Sequence, residues 1–332
     1  MGHGRNAATI VLVALLVIMC GLPSGLLAAN TFGCDLFAAA VASDNTFIIV
    51  GDRGNIFVSD NVGATFSAVD SKTKASLAAV CFPNAKQGWI VGQGGVVLHS
   101  ADGGKTWNAQ TSGVTRYLMD VDFADDLHGC AVGADSTVIV TSDGGKTWTP
   151  STFTLAKDVG GEYNLFAVKL LGPQSLCMTG DMGRVFLSTD FGMTWSEAQT
   201  PLYDETTGEG RTLYAIEALG GMLSAIGIDG TLITSKDAGK TWTEADSGSK
   251  EPEYFGLVLT PSFGLAVGSG GNVLKSTDGG ASWQAVNVPE NLYRAWLSGV
   301  ALKQTAAGGV IGLIVGQYGA LGIVKNNTLT WR

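Results

Sequence analysis

The residues able to do chemistry are few and far apart. The chain has three histidines, His3, His99 and His128, and no two of them stand four residues apart. Zinc takes about four nitrogen, sulfur or carboxylate ligands converging on one ion, so this supply predicts no metal centre, and no cofactor is expected. Cys20 lies in an apolar N-terminal stretch, which leaves Cys34, Cys81, Cys130 and Cys177. An even number permits pairing in an oxidising compartment. Cys130 in HGCAVG and Cys177 in SLCMTG, however, each stand three residues before a repeated glycine, at equivalent places in successive units. The expected state is therefore a set of buried free thiols behaving as small hydrophobes. Carboxylates gather around Asp204, Glu205 and Glu209. A glycosidase needs an acid and a nucleophile or base facing one cleft, and clustered acids in a long loop read first as a solvated surface.

Composition narrows the classes further. The chain has 20 lysines and arginines against 29 acids, a net charge of −9, with no basic run. Phosphate neutralisation needs clustered cations, so nucleic acid is not the expected partner. With 45% hydrophobic residues and 47 glycines against 8 prolines, the chain is a turn-rich globular protein able to bury a core. At the start, His3 and Arg5 precede an uncharged stretch over residues 6–34 whose centre, residues 7–22, is almost wholly apolar. Together with the small pair Ala28-Ala29 before Asn30, this predicts a signal peptide over residues 1–29, with an uncleaved anchor as the alternative. The mature chain, residues 30–332, is then a single exported domain.

The elements that must position any site follow from an internal repeat. SADGGKTW, TSDGGKTW, STDFGMTW, SKDAGKTW and STDGGASW end at Trp107, Trp148, Trp195, Trp242 and Trp283. A weaker copy, SDNVGATF, places Asn61 and Phe66 at the aspartate and tryptophan positions, and a remnant ends at Trp331. A glycine stands fifteen residues before the closing aromatic in every unit: Gly51, Gly92, Gly133, Gly180, Gly227, Gly268 and Gly316. The spacing from aromatic to aromatic varies from 41 to 48, so all length variation falls outside this segment.

Within one unit, residues 118–123, 129–132, 138–141 and 147–149 read as four short strands. Val121 and Phe123 alternate with Asp120 and Asp122 in the period of a half-buried strand. Seven such units predict an all-β fold, a seven-bladed propeller of four-stranded antiparallel blades. The boxed residues Asn61, Asp102, Asp143, Asp190, Asp237 and Asp278 are expected to accept turn N–H groups, with Trp107, Trp148, Trp195, Trp242 and Trp283 packing between blades. One carboxylate per box argues against calcium, which takes roughly six or more oxygens.

The S-x-D-x-G-x-T-W box resembles the Asp box, or BNR repeat. Joined to L-x-x-V-x-F and G-W-x-V-G-x-x-G, seen here as LAAVCF from Leu77 and GWIVGQGG from Gly88, it resembles the photosystem II assembly and stability factor family over essentially the whole mature chain. That resemblance implies a non-catalytic scaffold, exported to the periplasm or thylakoid lumen, that binds protein subunits of a membrane complex. The family's arginine-rich patch is represented thinly, by Arg53, Arg116, Arg184, Arg211, Arg294 and Arg332. The alternative is a carbohydrate-active propeller, a glycoside hydrolase or glycan-binding protein, although the arginine-isoleucine-proline motif of sialidases is missing.

Loops entering the innermost strands surround a propeller's channel and commonly carry binding residues. The position two residues before the first apolar residue of those strands reads Ala75, Arg116, Tyr163, Arg211, Glu253 and Ala295. Arg116, Tyr163, Arg211 and the neighbouring Arg294 are the expected partner-binding rim, arginine and tyrosine being enriched at binding hot spots. The competing reading pairs these cations locally with Glu162 or Glu253. The short C-terminus predicts that ring closure borrows residues 30–33 as a strand.

Overall fold

The computed structural model describes residues 32–151, 163–204 and 206–332. Seven four-stranded antiparallel sheets follow one another, each with its strands in chain order from the inside outward. The innermost strands, defining blades 1 to 7, are Leu36–Val41, Leu77–Cys81, Leu118–Phe123, Leu165–Leu170, Leu213–Leu219, Tyr254–Thr260 and Leu297–Gln304. The protein is a seven-bladed propeller.

The second strand of each blade explains why the blades stack. Phe47–Gly51, Gly88–Gly92 and Gly129–Gly133 are buried at every position, because a strand covered on both faces has no polar side to show. The core accordingly lies between blades. Trp89 of blade 2 is fully buried and stacks on Phe123 of blade 3 with ring centroids 3.7 Å apart. Cys34, Cys81, Cys130 and Cys177 are free thiols, three of them buried.

The invariant glycine ends this second strand, and its role is close approach. At the seven positions an added Cβ would lie 1.8 to 2.5 Å from the carbonyl oxygen just before the inner strand. The same carbonyls accept the N–H of the residue after the glycine, as in Gln93 N to Ser76 O at 2.9 Å. Any side chain there would push the turn off the inner strand.

Each inner strand also slips register once, directly after its first residue. The residue left unpaired is Phe37, Ala78, Met119, Phe166, Tyr214, Phe255 or Ser298 in turn. A bulge of this kind re-aims the side chain it carries.

Two expectations need correction. The outer strand of blade 3 is Thr149–Pro150, two residues later than read from sequence, because Thr147 N is held in the turn by Asp143 Oδ1 at 2.9 Å. The last blade is complete in itself, with its outer strand at Thr328–Trp331. A tight turn with Asn326 and Asn327 at φ 49° and 63° replaces the longer box, which leaves enough chain to finish the blade. Residues 30 and 31 lie outside the described residues, and Phe32 and Gly33 are not in a strand. Phe32 instead packs edge-on against Phe57 and Phe66. The ring closes through Ser298 Oγ donating to Leu36 O at 2.9 Å and Tyr318 N donating to Asp35 Oδ1 at 2.8 Å.

Candidate functional site

Antiparallel strands in simple order divide the loops between two faces. The turns joining the first to the second strand and the third to the fourth lie on one face, which therefore carries the boxes. The other face holds the turns between the second and third strands, together with the linkers that enter each next blade.

The box face is a set of hydrogen-bonded turns. Asp102 Oδ1 accepts from Ser100 Oγ at 2.8 Å and Thr106 N at 2.9 Å, and Oδ2 accepts from Thr106 Oγ1 at 2.7 Å. Ser100 Oγ in turn accepts from Gly104 N at 2.9 Å, and Trp107 Nε1 donates to Gly104 O at 3.0 Å. Asp143, Asp190, Asp237 and Asp278 repeat the aspartate geometry. Asn61 keeps the acceptor and donates from Nδ2 to Thr65 Oγ1. Trp242 and Trp283 bond their own turns, whereas Trp148 Nε1 donates to Gln110 Oε1 and Trp195 Nε1 to Ser151 Oγ. Hydrogen bonds from Thr241 and Ser282 hold the Asp237 and Asp278 carboxyls down at about 2.

On the linker face, the four rim residues do not converge. Arg116 Nη1 pairs with Asp135 Oδ2 of its own blade at 2.9 Å. Arg211 pairs with Glu244 on the outer strand of blade 5, which draws it away from the channel. The Tyr163 ring lies 4.5 Å from the guanidinium of Arg184, a buried residue held in turn by both oxygens of Glu197. Arg294 is exposed and has no ionic partner among the described residues. The local partners are thus Asp135 and Glu244; Glu253 pairs with none of the rim cations, and Glu162 lies outside the described residues. Because the inner strand of blade 6 starts at Tyr254, the position equivalent to Arg116 is Pro252 rather than Glu253.

What the linker face does bring together is aromatic. The bulge residues Phe166, Tyr214 and Phe255, followed by Trp296, form an arc across blades 4 to 7, with successive ring centroids 5.0, 5.5 and 5.8 Å apart. All four are half-buried. Tyr293 and Tyr318 stand 57% and 43% exposed on the same face at the blade 7 end of the arc. Reading two residues before the strand missed these side chains. The available signal was the large residue directly after the leading apolar one, in LF, LY and YF, which breaks the alternation of the strand.

Three of the arc rings line one end of a central cavity of about 260 Å³. Beyond them runs a ring of small residues, Ala38, Ala79, Ala167, Ala215, Gly256 and Gly299, broken by Asp120, and the same wall includes Val80, Ile216 and Leu257 with the charged Asp122, Lys169 and Glu217. Asp120 Oδ2 accepts from Val168 N at 2.9 Å and Asp122 Oδ2 from Leu170 N at 2.8 Å, so blade 3 satisfies the free edge of blade 4. Lys169 Nζ lies 3.8 Å from Asp122 and 3.3 Å from Glu217. Desolvation, with the Asp122 charge nearby, pushes the Asp120 carboxyl up to about 7. Burial raises Glu217 as well, while the Asp122 charge raises Lys169.

The acidic loop is not arranged for acid–base work. Asp204 and Glu209 face each other in a two-stranded hairpin, and both are exposed. Hydrogen bonding to Thr206 N lowers the Asp204 carboxyl, the wrong direction for a general acid. Glu205 lies outside the described residues.

A family model described as photosynthesis system II assembly factor YCF48 matches residues 35–111 and 106–245, together more than half of the chain. The chain belongs to this family. Among curated proteins no sequence matches it. Two solved structures share the YCF48 family fold. One, "YCF48 bound to D1 peptide", is 17% identical over 88% of this chain and 91% of that one, with a TM-score of 0.65. The other, YCF48 from Cyanidioschyzon merolae, is 18% identical over 88% of this chain and 95% of that one, with a TM-score of 0.66. At these identities the likeness establishes the fold alone.

Proposed function

We propose that the protein is an exported, non-catalytic scaffold that binds a protein subunit of a membrane complex while that complex is assembled. The observation that carries the reading is the aromatic arc from Phe166 to Trp296, half-exposed at the channel mouth and extended by Tyr293, Arg294 and Tyr318. Rings of this kind give large contact area with little rotamer entropy to lose, and they recur in protein hot spots. Family membership points the same way, as does the relative solved with a D1 peptide. Export rests on residues 1–29.

A carbohydrate ligand fits the arc less well. Phe166 and Tyr214 meet edge to face at 82°, so they do not offer one flat platform for a sugar ring. Titration of a fluorescent D1 peptide, beside a panel of glycans, tests the choice. Peptide binding without glycan binding or hydrolysis supports the scaffold, and the reverse pattern overturns it.

A further inference from the structure

Three carboxylates and a single ammonium line the central cavity, and all four come from neighbouring blades. Asp122, Lys169 and Glu217 each stand four residues after the first residue of the inner strand, in blades 3, 4 and 5. The same place in blades 1, 2, 6 and 7 is taken by Ala40, Cys81, Val258 and Ala301, so an inner strand forms without a charge there. Asp120 is the third carboxylate, and Lys169 is the only basic residue of the wall among the described residues.

Not every carboxylate oxygen is occupied. Asp120 accepts Val121 N at 2.8 Å on Oδ1 and Val168 N at 2.9 Å on Oδ2. Asp122 uses Oδ2 for Leu170 N and Lys169, and Glu217 uses Oε1 for Ala218 N and Lys169. Asp122 Oδ1 and Glu217 Oε2 make no hydrogen bond among the described residues. Both side chains line the cavity and keep 18% and 17% of their surface exposed. Lys169 Nζ lies 3.8 Å from one and 3.3 Å from the other, so a single ammonium can bridge the pair. Across the cavity the wall is Ala38, Ala79, Gly256 and Gly299, which leaves room in front of them.

A low-dielectric cleft with three anions against one cation concentrates cations. No three histidine, cysteine, aspartate or glutamate side chains among the described residues stand close enough to share a metal ion, so the charge suits an organic cation. A primary ammonium is compact and has three N–H donors to divide between separate oxygens. The rings of Phe166, Tyr214 and Phe255 at the mouth of the same cavity give an aliphatic stem an apolar passage and attract its charge on the way in.

We propose that the central cavity binds a primary ammonium group on an unbranched aliphatic stem, bridging Asp122 and Glu217 with the stem running out past Phe166 and Tyr214. Lysine side chains and free polyamines both carry that group. The site lies beneath the aromatic arc and does not depend on a peptide docking there.

The test is calorimetric titration of the full chain at about 0.15 M salt, where screening sets in beyond about 8 Å. One titrant is spermidine; the others are Ac-Ala-Ala-Lys-Ala-Ala-amide and its norleucine analogue. Saturable binding of spermidine, or of the lysine peptide about tenfold or more tightly than the norleucine peptide, supports the proposal, and which of them binds identifies the source of the ammonium. Asp122→Asn/Glu217→Gln should weaken that binding by about tenfold or more. Asp204→Asn/Glu209→Gln removes the same number of charges from the exposed hairpin and should leave it unchanged. Ala78→Phe keeps every charge and narrows the cavity with the ring that Phe37 and Phe166 place at the equivalent bulge, so it should weaken binding too, and it decides the matter if the channel charge variant does not fold. Binding of neither probe, an equal loss in the hairpin variant, or binding that survives either cavity variant overturns the proposal, while D1 peptide anisotropy reports on the scaffold reading separately.

Discussion

The rings of Tyr214 and Phe255 meet at 5.5 Å across the boundary between blades 5 and 6, and each stands at the residue its own strand leaves out of register. In regular pairing that residue would point with the strand's alternation into an interface between blades. The bulge turns it towards the channel mouth instead, and repetition of the bulge around the ring builds a continuous aromatic surface from side chains far apart in sequence. The fold's most regular feature thereby positions its most variable one.

The boxes are expected to act through stability. Asp102→Ala removes the acceptor for Thr106 N and should cost about 1 to 3 kcal/mol, read as a lower thermal midpoint. Asp102→Asn should cost less, because Asn61 already performs the same task in blade 1. Loss of peptide affinity by Asp102→Ala at an unchanged midpoint would show the boxes to be sites.

The glycine positions should be intolerant. Gly92→Ala places a Cβ 2.1 Å from Ser76 O, a backbone atom that cannot yield without moving the inner strand. A loss of at least ~2 kcal/mol is expected, measured by denaturant unfolding, and a neutral result would contradict the close-approach explanation.

Much of this was legible in the sequence. The constant fifteen-residue interval measures the path from the close-approach glycine to the aromatic that closes the box, and both ends are fixed by backbone contacts of the blade itself. That local geometry repeats, so it shows as a pattern. The proposed binding face was less legible because its determinants are relational. Nothing near Arg211 in sequence signals Glu244 on the outer strand, and Arg116 meets Asp135 only once the turn of blade 3 is formed. Register slippage then moved the informative position from Arg116, Tyr163 and Arg211 to the residues just after the leading apolar ones. Ring closure was misread because the Asn326-Asn327 turn shortens the connection between the third and fourth strands of the last blade, without a box to mark it.

Stability should depend on pH in two opposed ways. Asp237 and Asp278, held at about 2 when folded against the ordinary 3.8, contribute stability that is present above pH 4 and lost as pH falls towards 2. Asp120 is raised, so its contribution is present below pH 4 and lost as pH climbs through about 7. Asp120→Asn keeps an acceptor for Val168 N and cannot ionise. It should raise the thermal midpoint relative to wild type far more at pH 8 than at pH 4; the same difference at both values would contradict the raised carboxyl.

Export predicts a mature N-terminus near Asn30, read by mass spectrometry of the protein recovered from outside the cytoplasm. Recovery of an intact Met1 in the membrane fraction would instead identify an anchor.

The central claim is that the aromatic arc at the channel mouth is where a protein partner docks, and anisotropy with a labelled D1 peptide tests it most directly. Wild type should bind saturably. Tyr214→Ala/Phe255→Ala should weaken binding by about tenfold or more, while Arg116→Ala/Arg211→Ala, whose side chains are engaged within their own blades, should leave it nearly unchanged. Thermal midpoints recorded on the same samples separate lost contact from lost fold. Equal affinity of wild type and the aromatic variant, or no binding by the folded wild type, would contradict the account.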